Sequence, residues 1–287
     1  MNRAQRTTTI AVVVVISLAS LAAAQGTRQQ FSFVLHHGGR ANIEVRNVYG
    51  SVTVRPGAGG QVVVSASLPS DKVEIDKGQR GNRLQVTSHL LAGSNKDNSR
   101  VDYELEVPAD SNVTLETSDG TLHAERLHGD LTFNGPSATV EVRDCNKGHV
   151  HVNTMNGPVT LTNVRDAHVE IVTVSGVVVL NAVSGTLTEA KTGSGKILYD
   201  GDFGAGGKYR LTTNDGPIEA LIPAVASAGI HASSMLGTVA SEFPLHPFDH
   251  TSFILVPGRN VAGFLGKGDS DVELQSHSGT IRIKKKN

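Results

Sequence analysis

The chain of 287 residues has no tryptophan, only 4% aromatic residues and a single cysteine. One cysteine cannot form an intramolecular disulfide, which excludes the disulfide-stapled class of small secreted folds. The scarcity of aromatic side chains suits a narrow core filled by aliphatic residues. We predict that Cys145 is a buried structural thiol, because no pattern of acid–base partners surrounds it. The alternative is a reactive or intermolecular thiol.

Neither sign of charge is in excess, since 26 Lys and Arg residues stand against 27 Asp and Glu residues for a net charge of −1. This balance excludes the extended basic surface by which proteins bind nucleic acids, so no nucleic-acid partner is predicted. The like-charge run at 284–286 consists of three lysines. We interpret it as a charged end that discourages edge-to-edge strand pairing.

Long hydrophobic runs are missing as well, apart from one near the N-terminus. Arg3 and Arg6 precede an apolar run at 10–21, and alanines at 22–24 come directly before Gln25. This order is typical of a secretory signal peptide, which we predict over residues 1–24. Its cleavage would leave no membrane span and place the protein in the periplasm, the cell envelope or the extracellular space. An uncleaved membrane anchor is the alternative.

What the sequence does contain is a repeat between residues 111 and 220. A five-residue phrase recurs, in which a small residue is followed by apolar residues at the third and fifth positions. The phrase begins at 120, 129, 138, 148, 157, 167, 176 and 185. Alternation of apolar and polar residues indicates half-buried strands. Two successive phrases make a repeating unit of about 20 residues, a period that indicates the coils of a β-solenoid.

Side chains at alternate positions share one face of a strand, so the repeat assigns inward and outward columns. Inward residues of a first wall are predicted to be Leu131, Phe133, Val150, Val152, Val169, Ile171 and Leu187. Those of an opposite, second wall are predicted to be Val140, Val142, Val159, Leu161, Val178, Leu180, Ile197 and Tyr199. Predicted corner residues are Leu127, Cys145, Met155, Val164, Val174 and Val183.

We predict one solenoid domain over residues 25–287, because a solenoid grows by adding coils rather than by thickening its core. Less regular copies of the phrase indicate capping and early coils at 29–110, followed by regular coils at 111–220. Prolines interrupt the pattern at 223–268, which is predicted to be an irregular excursion. The phrase returns in a final coil at 269–287.

The outward columns are where function is expected. In the predicted register Asp130, His149 and His168 form one column, while His151 and Glu170 lie in the next, together with a threonine at 132. Imidazole and carboxylate groups at the spacing of neighbouring strands, about 4.8 Å, could bind Zn²⁺ or another divalent ion. The other interpretation is a solvated ladder of polar side chains.

On the second wall Val177, Val179 and Leu198 face outward in the predicted pattern. Such an apolar strip either receives a partner or is covered by another part of the chain. We expect the segment 223–268 to cover it, because a long excursion with several phenylalanines must pack on something.

Three features resemble a known family. They are Val101-Asp-Tyr-Glu-Leu-Glu-Val-Pro108, the serial coils that follow, and Gly266-Lys-Gly268 leading to Gly279-Thr-Ile-Arg-Ile. Together they resemble the bacterial family named "putative adhesin", whose members are exported β-solenoid domains of unknown function. The resemblance covers nearly all of the chain after the signal peptide. It implies a right-handed parallel β-helix or β-solenoid, an envelope or extracellular location, and no established catalytic residues to carry over.

The functional prediction is a non-enzymatic, exported, adhesin-like binding or structural module of the cell envelope. Its expected partner is an envelope polymer, a surface glycan or a protein, and no cofactor is expected unless the ladder binds a divalent metal such as zinc. One alternative is a carbohydrate-active β-helix enzyme, a lyase or hydrolase, but that chemistry needs paired carboxylates. The outward Asp130, Glu141, Glu170 and Glu219 are spread over walls and coils. The other alternative is a divalent-metal-binding periplasmic protein.

Overall fold

The structure, a computed structural model, describes residues 26–36, 39–246 and 256–286, and the predicted signal peptide at 1–24 lies outside them. The described residues form 23 β-strands and no helix, so none of them belongs to a helix able to span a membrane. The strands are β1 (Thr27–Val34), β2 (Asn42–Tyr49), β3 (Val52–Pro56), β4 (Gln61–Leu68), β5 (Val73–Arg80), β6 (Arg83–Leu90), β7 (Asp102–Val107), β8 (Asn112–Glu125), β9 (Leu131–Gly135), β10 (Ser137–Arg143), β11 (Asn146–Thr154), β12 (Val159–Thr162), β13 (Arg165–Thr173), β14 (Val178–Asn181), β15 (Leu187–Thr192), β16 (Ile197–Asp200), β17 (Lys208–Thr213), β18 (Ile218–Pro223), β19 (Ala228–Ser234), β20 (Val239–Ser241), β21 (Asn260–Leu265), β22 (Asp271–Ser276) and β23 (Ile281–Lys286).

Parallel pairing between every second strand builds two walls around one core. The first wall runs through β9, β11, β13, β15 and β17, and the second through β10, β12, β14, β16 and β18. On the first wall Val150 lies between Leu131 of the preceding coil and Val169 of the following coil. The prediction of an all-β parallel β-solenoid, with two alternating strands in each regular coil, is confirmed.

The predicted inward columns are buried, with one exception. Leu187 is only half-buried and lies beside His168 in an outward column, while Thr188 and Ala190 take the inward positions. The phrase would align Gly185 with Ala167, whereas the strand pairing aligns Leu187 with His168 and so is shifted by one position. Because such a shift moves a side chain to the other face of the sheet, the prediction for Leu187 is wrong.

One line of corners follows a pattern that the sequence analysis missed. A Thr or Ser hydroxyl accepts a hydrogen bond from the N–H of a glycine three residues later, at 2.8–3.3 Å. This hydroxyl occupies the inward corner position, so Met155 and Val174, predicted to fill corners, are instead 51% and 55% exposed. The pairs are Thr154–Gly157, Thr173–Gly176, Thr192–Gly195, Thr213–Gly216, Ser234–Gly237 and Ser276–Gly279.

The opposite line of corners uses left-handed backbone. The φ angles of four residues lie between 51° and 55°, in a backbone region that residues other than glycine rarely adopt. These residues are Arg126, Asp144, Asn163 and Ala182. Each is followed by a buried apolar residue, which confirms the corner predictions for Leu127, Cys145, Val164 and Val183. Burial raises the pKa of the Cys145 thiol to about 11, so the side chain packs as a neutral corner residue.

The C-terminal coils do not stack in chain order. β22 pairs with β17 on one side and with β19 on the other, and β23 likewise lies between β18 and β20. The final segment of the chain therefore forms an inserted coil, and the coil at 228–241 lies outside it. The prediction of one irregular excursion over 223–268 is wrong for this part, because β19 and β20 continue the parallel ladders.

The N-terminal end is built in a corresponding way. β2 lies between β6 and β8, and β3 lies between β7 and β8, so the first coil is also internal. Antiparallel strands close this end, β5 against β6 and β1 against β4, which itself pairs with β7. At the other end the antiparallel β21 follows β19. Phe31 and Phe33 pack at the N-terminal end and Phe243 at the C-terminal end.

Candidate functional site

The structure brings the five predicted ladder residues together on the outer face of the first wall. The Asp130 carboxylate accepts a hydrogen bond from the backbone N–H of His149 and lies 3.0 Å from its ring Nδ1. The rings of His149 and His168 are 5.1 Å apart between centroids. Glu170 lies 3.2 Å from Nδ1 of His151 and 3.5 Å from Nε2 of His168. The register that the repeat predicted for these columns is thus the observed one.

This ladder is a chain of pairs rather than a convergent ligand set. Within the described ranges, no group of three or more His, Cys, Asp or Glu side chains is placed to hold a metal ion. The zinc hypothesis stays a prediction, which titration of zinc into the wild type and into the combined variant His149→Ala and His168→Ala would test.

The carboxyl groups whose pKa departs from the usual value all have a lowered pKa. Partial burial acts to raise the pKa of Asp130, but hydrogen bonds from His149 outweigh it and the pKa is lowered. The pKa of Glu125 is lowered by a hydrogen bond from Arg126. Hydrogen bonds from Lys284 and Lys196 lower the pKa of Glu219 to about 2. A general acid needs a raised pKa, and these carboxylates have the opposite property.

The apolar strip of the second wall is partly exposed, with Val179 and Leu198 half-buried. Val179 and Leu198 pair in register, as predicted, and Val177 beside them is 43% exposed. The part of 223–268 that the structure describes packs elsewhere, since Phe243 is buried in the core and Leu245 packs against it. The expectation that the segment covers the strip is therefore not met by its described residues.

A groove that the sequence analysis did not predict crosses the first wall at its C-terminal end. Two adjoining cavities of about 550 and 680 Å³ share Ser233, Asn260 and Gln275 in their linings. A third cavity of about 330 Å³ continues from the first and shares Asp271 and His231 with it. We call this depression the C-terminal groove. Each of the three cavities taken singly lies within the size range of small-molecule binding sites.

The inserted coil and the coil outside it form the floor of the groove. Alternate residues of one strand point outward, so β22 and its extension contribute Asp271, Glu273, Gln275 and His277. On the neighbouring β19 the outward positions are Gly229, His231 and Ser233, and the surface is low on either side of the histidine, because glycine has no side chain and that of serine is small. The groove is flanked by β17 on one side and by β21 with its preceding turn on the other.

The residues of this site are brought together by strand order and not by a local sequence motif. Ser233, Gln275 and Thr212 belong to three adjacent strands, although Gln275 is distant in the chain from both of the others. Stacking the coils in chain order would place β19 next to β17 and would not assemble the floor. Only the inserted position of β22 brings these side chains into one row.

The comparison with protein families agrees with this fold. The sequence matches the family model described as Toastrack DUF4097 over residues 41–284. Among curated proteins, none has a sequence that matches this chain.

Three solved structures are similar to the chain. A "putative cell adhesion protein" from Clostridium sporogenes is 14% identical, with 91% of this chain and 100% of that chain covered and a TM-score of 0.28. A "putative adhesin" from Bacteroides fragilis is 12% identical, with 92% and 99% covered and a TM-score of 0.44. A "putative adhesin" from Parabacteroides distasonis is 13% identical, with 91% and 98% covered and a TM-score of 0.49. The family match over 41–284, which confirms the resemblance given by the coil motifs, shows that the chain belongs to the Toastrack DUF4097 family.

Proposed function

We propose that the protein is an exported, non-enzymatic, adhesin-like binding module of the cell envelope. The observation that carries this proposal is the outer face of the first wall, where polar side chains stand in register over many adjacent strands. Repeated hydrogen-bonding groups on a rigid sheet suit binding to a polymer or to a protein surface, because the sheet holds the contacts in place before binding. The resemblance of the coil motifs to a family of exported domains is consistent with this role.

The carboxylates of the ladder, and that of Glu219 on the second wall, support a binding role over catalysis. Retaining and inverting glycosidases require a pair of carboxyl groups, one of them with a raised pKa. In the described part of the chain, the outward Asp130 and Glu170 are instead each paired with a histidine. Glu219 is held between two lysines.

Export and binding are tested separately. Mass spectrometry of the protein secreted by an expression host is expected to give a chain beginning at Gln25.

The purified protein is then incubated with isolated envelope polysaccharide and with intact bacterial cells, and bound protein is measured against concentration. We expect saturable binding with no shortening of the polysaccharide. Release of oligosaccharides would favour the enzyme, and absence of binding to every preparation would contradict the proposal.

A further inference from the structure

We infer that the C-terminal groove is the ligand site of this module and that it binds a neutral oligosaccharide segment of a longer glycan. This inference rests on the proposed function and adds the position of the site and the chemistry of the ligand. The groove follows β22 from Asp271 to His277, which corresponds to about 20 Å of extended strand. A short run of sugar rings fits such a length.

The central side chains of the groove carry hydroxyl and amide groups. Thr212, Gln275 and Ser233 stand in one row across three adjacent strands, and Asn214 lies beside the row. Each hydroxyl both donates and accepts hydrogen bonds, and each carboxamide carries two donors and one acceptor oxygen. Sugar hydroxyls have the same double capacity, so this row can hydrogen-bond, from three strands, the pyranose rings that lie over it.

The charges around the groove favour a neutral ligand, because cationic and anionic side chains line it in equal number. They are Lys191, Lys208 and Arg259 against Asp269, Asp271 and Glu273. Three of these groups already have partners within the protein, and one of them, Lys191, lies 2.7 Å from Glu189. Glu273 lies 3.4 Å from Arg210, and Arg259 donates to the carbonyl oxygen of Met235 at 2.7 Å. A strongly charged polymer would therefore find no net attraction here.

An extended peptide fits less well. Peptides that bind to sheets add to an open strand edge or insert side chains into apolar pockets. The floor of the groove is a sheet face, and the backbone of β22 is paired with β17 on one side and with β19 on the other. Exposed apolar side chains occur at the rim, at Met235 and Val256, rather than along the row.

The test is a titration of neutral hexasaccharides into the exported protein, followed by calorimetry and by NMR. Maltohexaose, cellohexaose, mannohexaose and chitohexaose are the probes, with an oligogalacturonate and an unrelated hexapeptide as competitors of other chemistry. Ser233 is exposed, so Ser233→Arg fills the groove without disturbing the core. Thr160→Arg, outward on the second wall, is the matched control.

We expect at least one neutral hexasaccharide to bind, with affinity lost by tenfold or more in Ser233→Arg and in Gln275→Ala but unchanged in Thr160→Arg. Unchanged affinity in Ser233→Arg would overturn the position of the site. Binding of only the oligogalacturonate or the hexapeptide, or no binding of any neutral probe, would overturn the ligand class. In those cases envelope binding by the wild type would still support the proposed function, whereas its absence would remove both.

Discussion

The middle and the C-terminal stretches of the first wall are built from the same kind of strand but present different surfaces. In the middle, successive coils follow one another in the chain, and their large outward residues form a ladder of His149, His168 and Glu170. At the C-terminal end, the inserted coil is placed next to a coil whose outward residues are Gly229 and Ser233 on either side of His231. A regular repeat thus gives a raised, filled wall, while the change of order gives a groove.

The two stretches also differ in the contacts that stabilise them. Each regular coil is held by neighbours that are near in the chain, whereas β22 of the inserted coil is held by β17 and β19, which are distant in the chain. Contacts between distant segments are costly in loop entropy but join the two sides of the insertion into one unit. The C-terminal stretch is therefore expected to fold only as a whole.

The largest expected effect is that of deleting residues 271–287. This removes strands β22 and β23 from between two coils, together with the core residues Val272, Leu274, Ile281 and Ile283 that they supply. We expect loss of cooperative unfolding in circular dichroism and rapid proteolysis of the segment after β17. Deletion of 26–34, which removes an edge strand paired with β4 alone, is the milder comparison. A cooperative unfolding transition in the 271–287 deletion as sharp as that of the 26–34 deletion would contradict the inserted coil.

A second prediction compares one corner in each stretch. A Cβ added at Gly176 or at Gly279 would overlap a carbonyl oxygen of the neighbouring coil. Overpacking of this kind costs about 1–3 kcal/mol, so Gly176→Ala and Gly279→Ala should lower the free energy of unfolding by similar amounts in urea denaturation. Gly60→Ala, where a Cβ meets nothing within 4 Å, is the control. A neutral effect at Gly279 alone would show that the inserted coil packs more loosely.

A third prediction concerns acid stability. Glu219 on β18 lies 2.9 Å from Lys196 and 2.5 Å from Lys284 of the inserted coil, and these hydrogen bonds lower its pKa from 4.5 to about 2. A carboxylate with a lowered folded-state pKa stabilises the fold above its unfolded pKa and loses this contribution as pH falls. Between pH 4.5 and 2 the unfolding free energy should fall less in Glu219→Gln than in the wild type. Identical pH profiles of the two proteins would contradict the pairing of Glu219 with Lys196 and Lys284.

The smallest expected effect is at Ala182, whose φ is 51°. Alanine is disfavoured in left-handed backbone, while asparagine tolerates it, as Asn163 does at the same corner one coil earlier. Ala182→Asn should raise the free energy of unfolding by up to about 1 kcal/mol, measured by chemical denaturation. Asn163→Ala should have the opposite sign. Destabilisation by Ala182→Asn would contradict the backbone conformation at this corner.

The parts that the sequence predicted are those that depend on local periodicity. Alternation placed Val150, Leu161 and Val178 in the core, and the regular length of the coils placed His149 beside His168. The errors arise where a coil is one residue longer than the repeat predicts, or where a hydroxyl group takes a corner position predicted for an apolar side chain. Leu187 moved outward because its coil is one residue longer than the phrase suggests, and Met155 is exposed because Thr154 takes the inward corner position.

The groove could not be predicted in the same way. Periodicity shows that a segment such as 271–276 is a strand, but it does not show which strand will be its neighbour. At each end one coil lies out of chain order, β2 and β3 at the N-terminal end and β22 and β23 at the C-terminal end, and this arrangement follows from long-range packing. Since the groove depends on that order, its residues carry no local signature of a shared site.

The most direct test of the inserted coil is disulfide trapping in a Cys145→Ala background. Neighbouring strands lie about 4.8 Å apart, within the span of a disulfide, whereas strands two apart exceed the limit of about 7 Å. We predict that the pairs Thr212→Cys with Gln275→Cys, and Gln275→Cys with Ser233→Cys, form disulfides under mild oxidation, while Thr212→Cys with Ser233→Cys does not. Efficient cross-linking of Thr212→Cys to Ser233→Cys, without the other two, would contradict the position of the final coil and with it the groove.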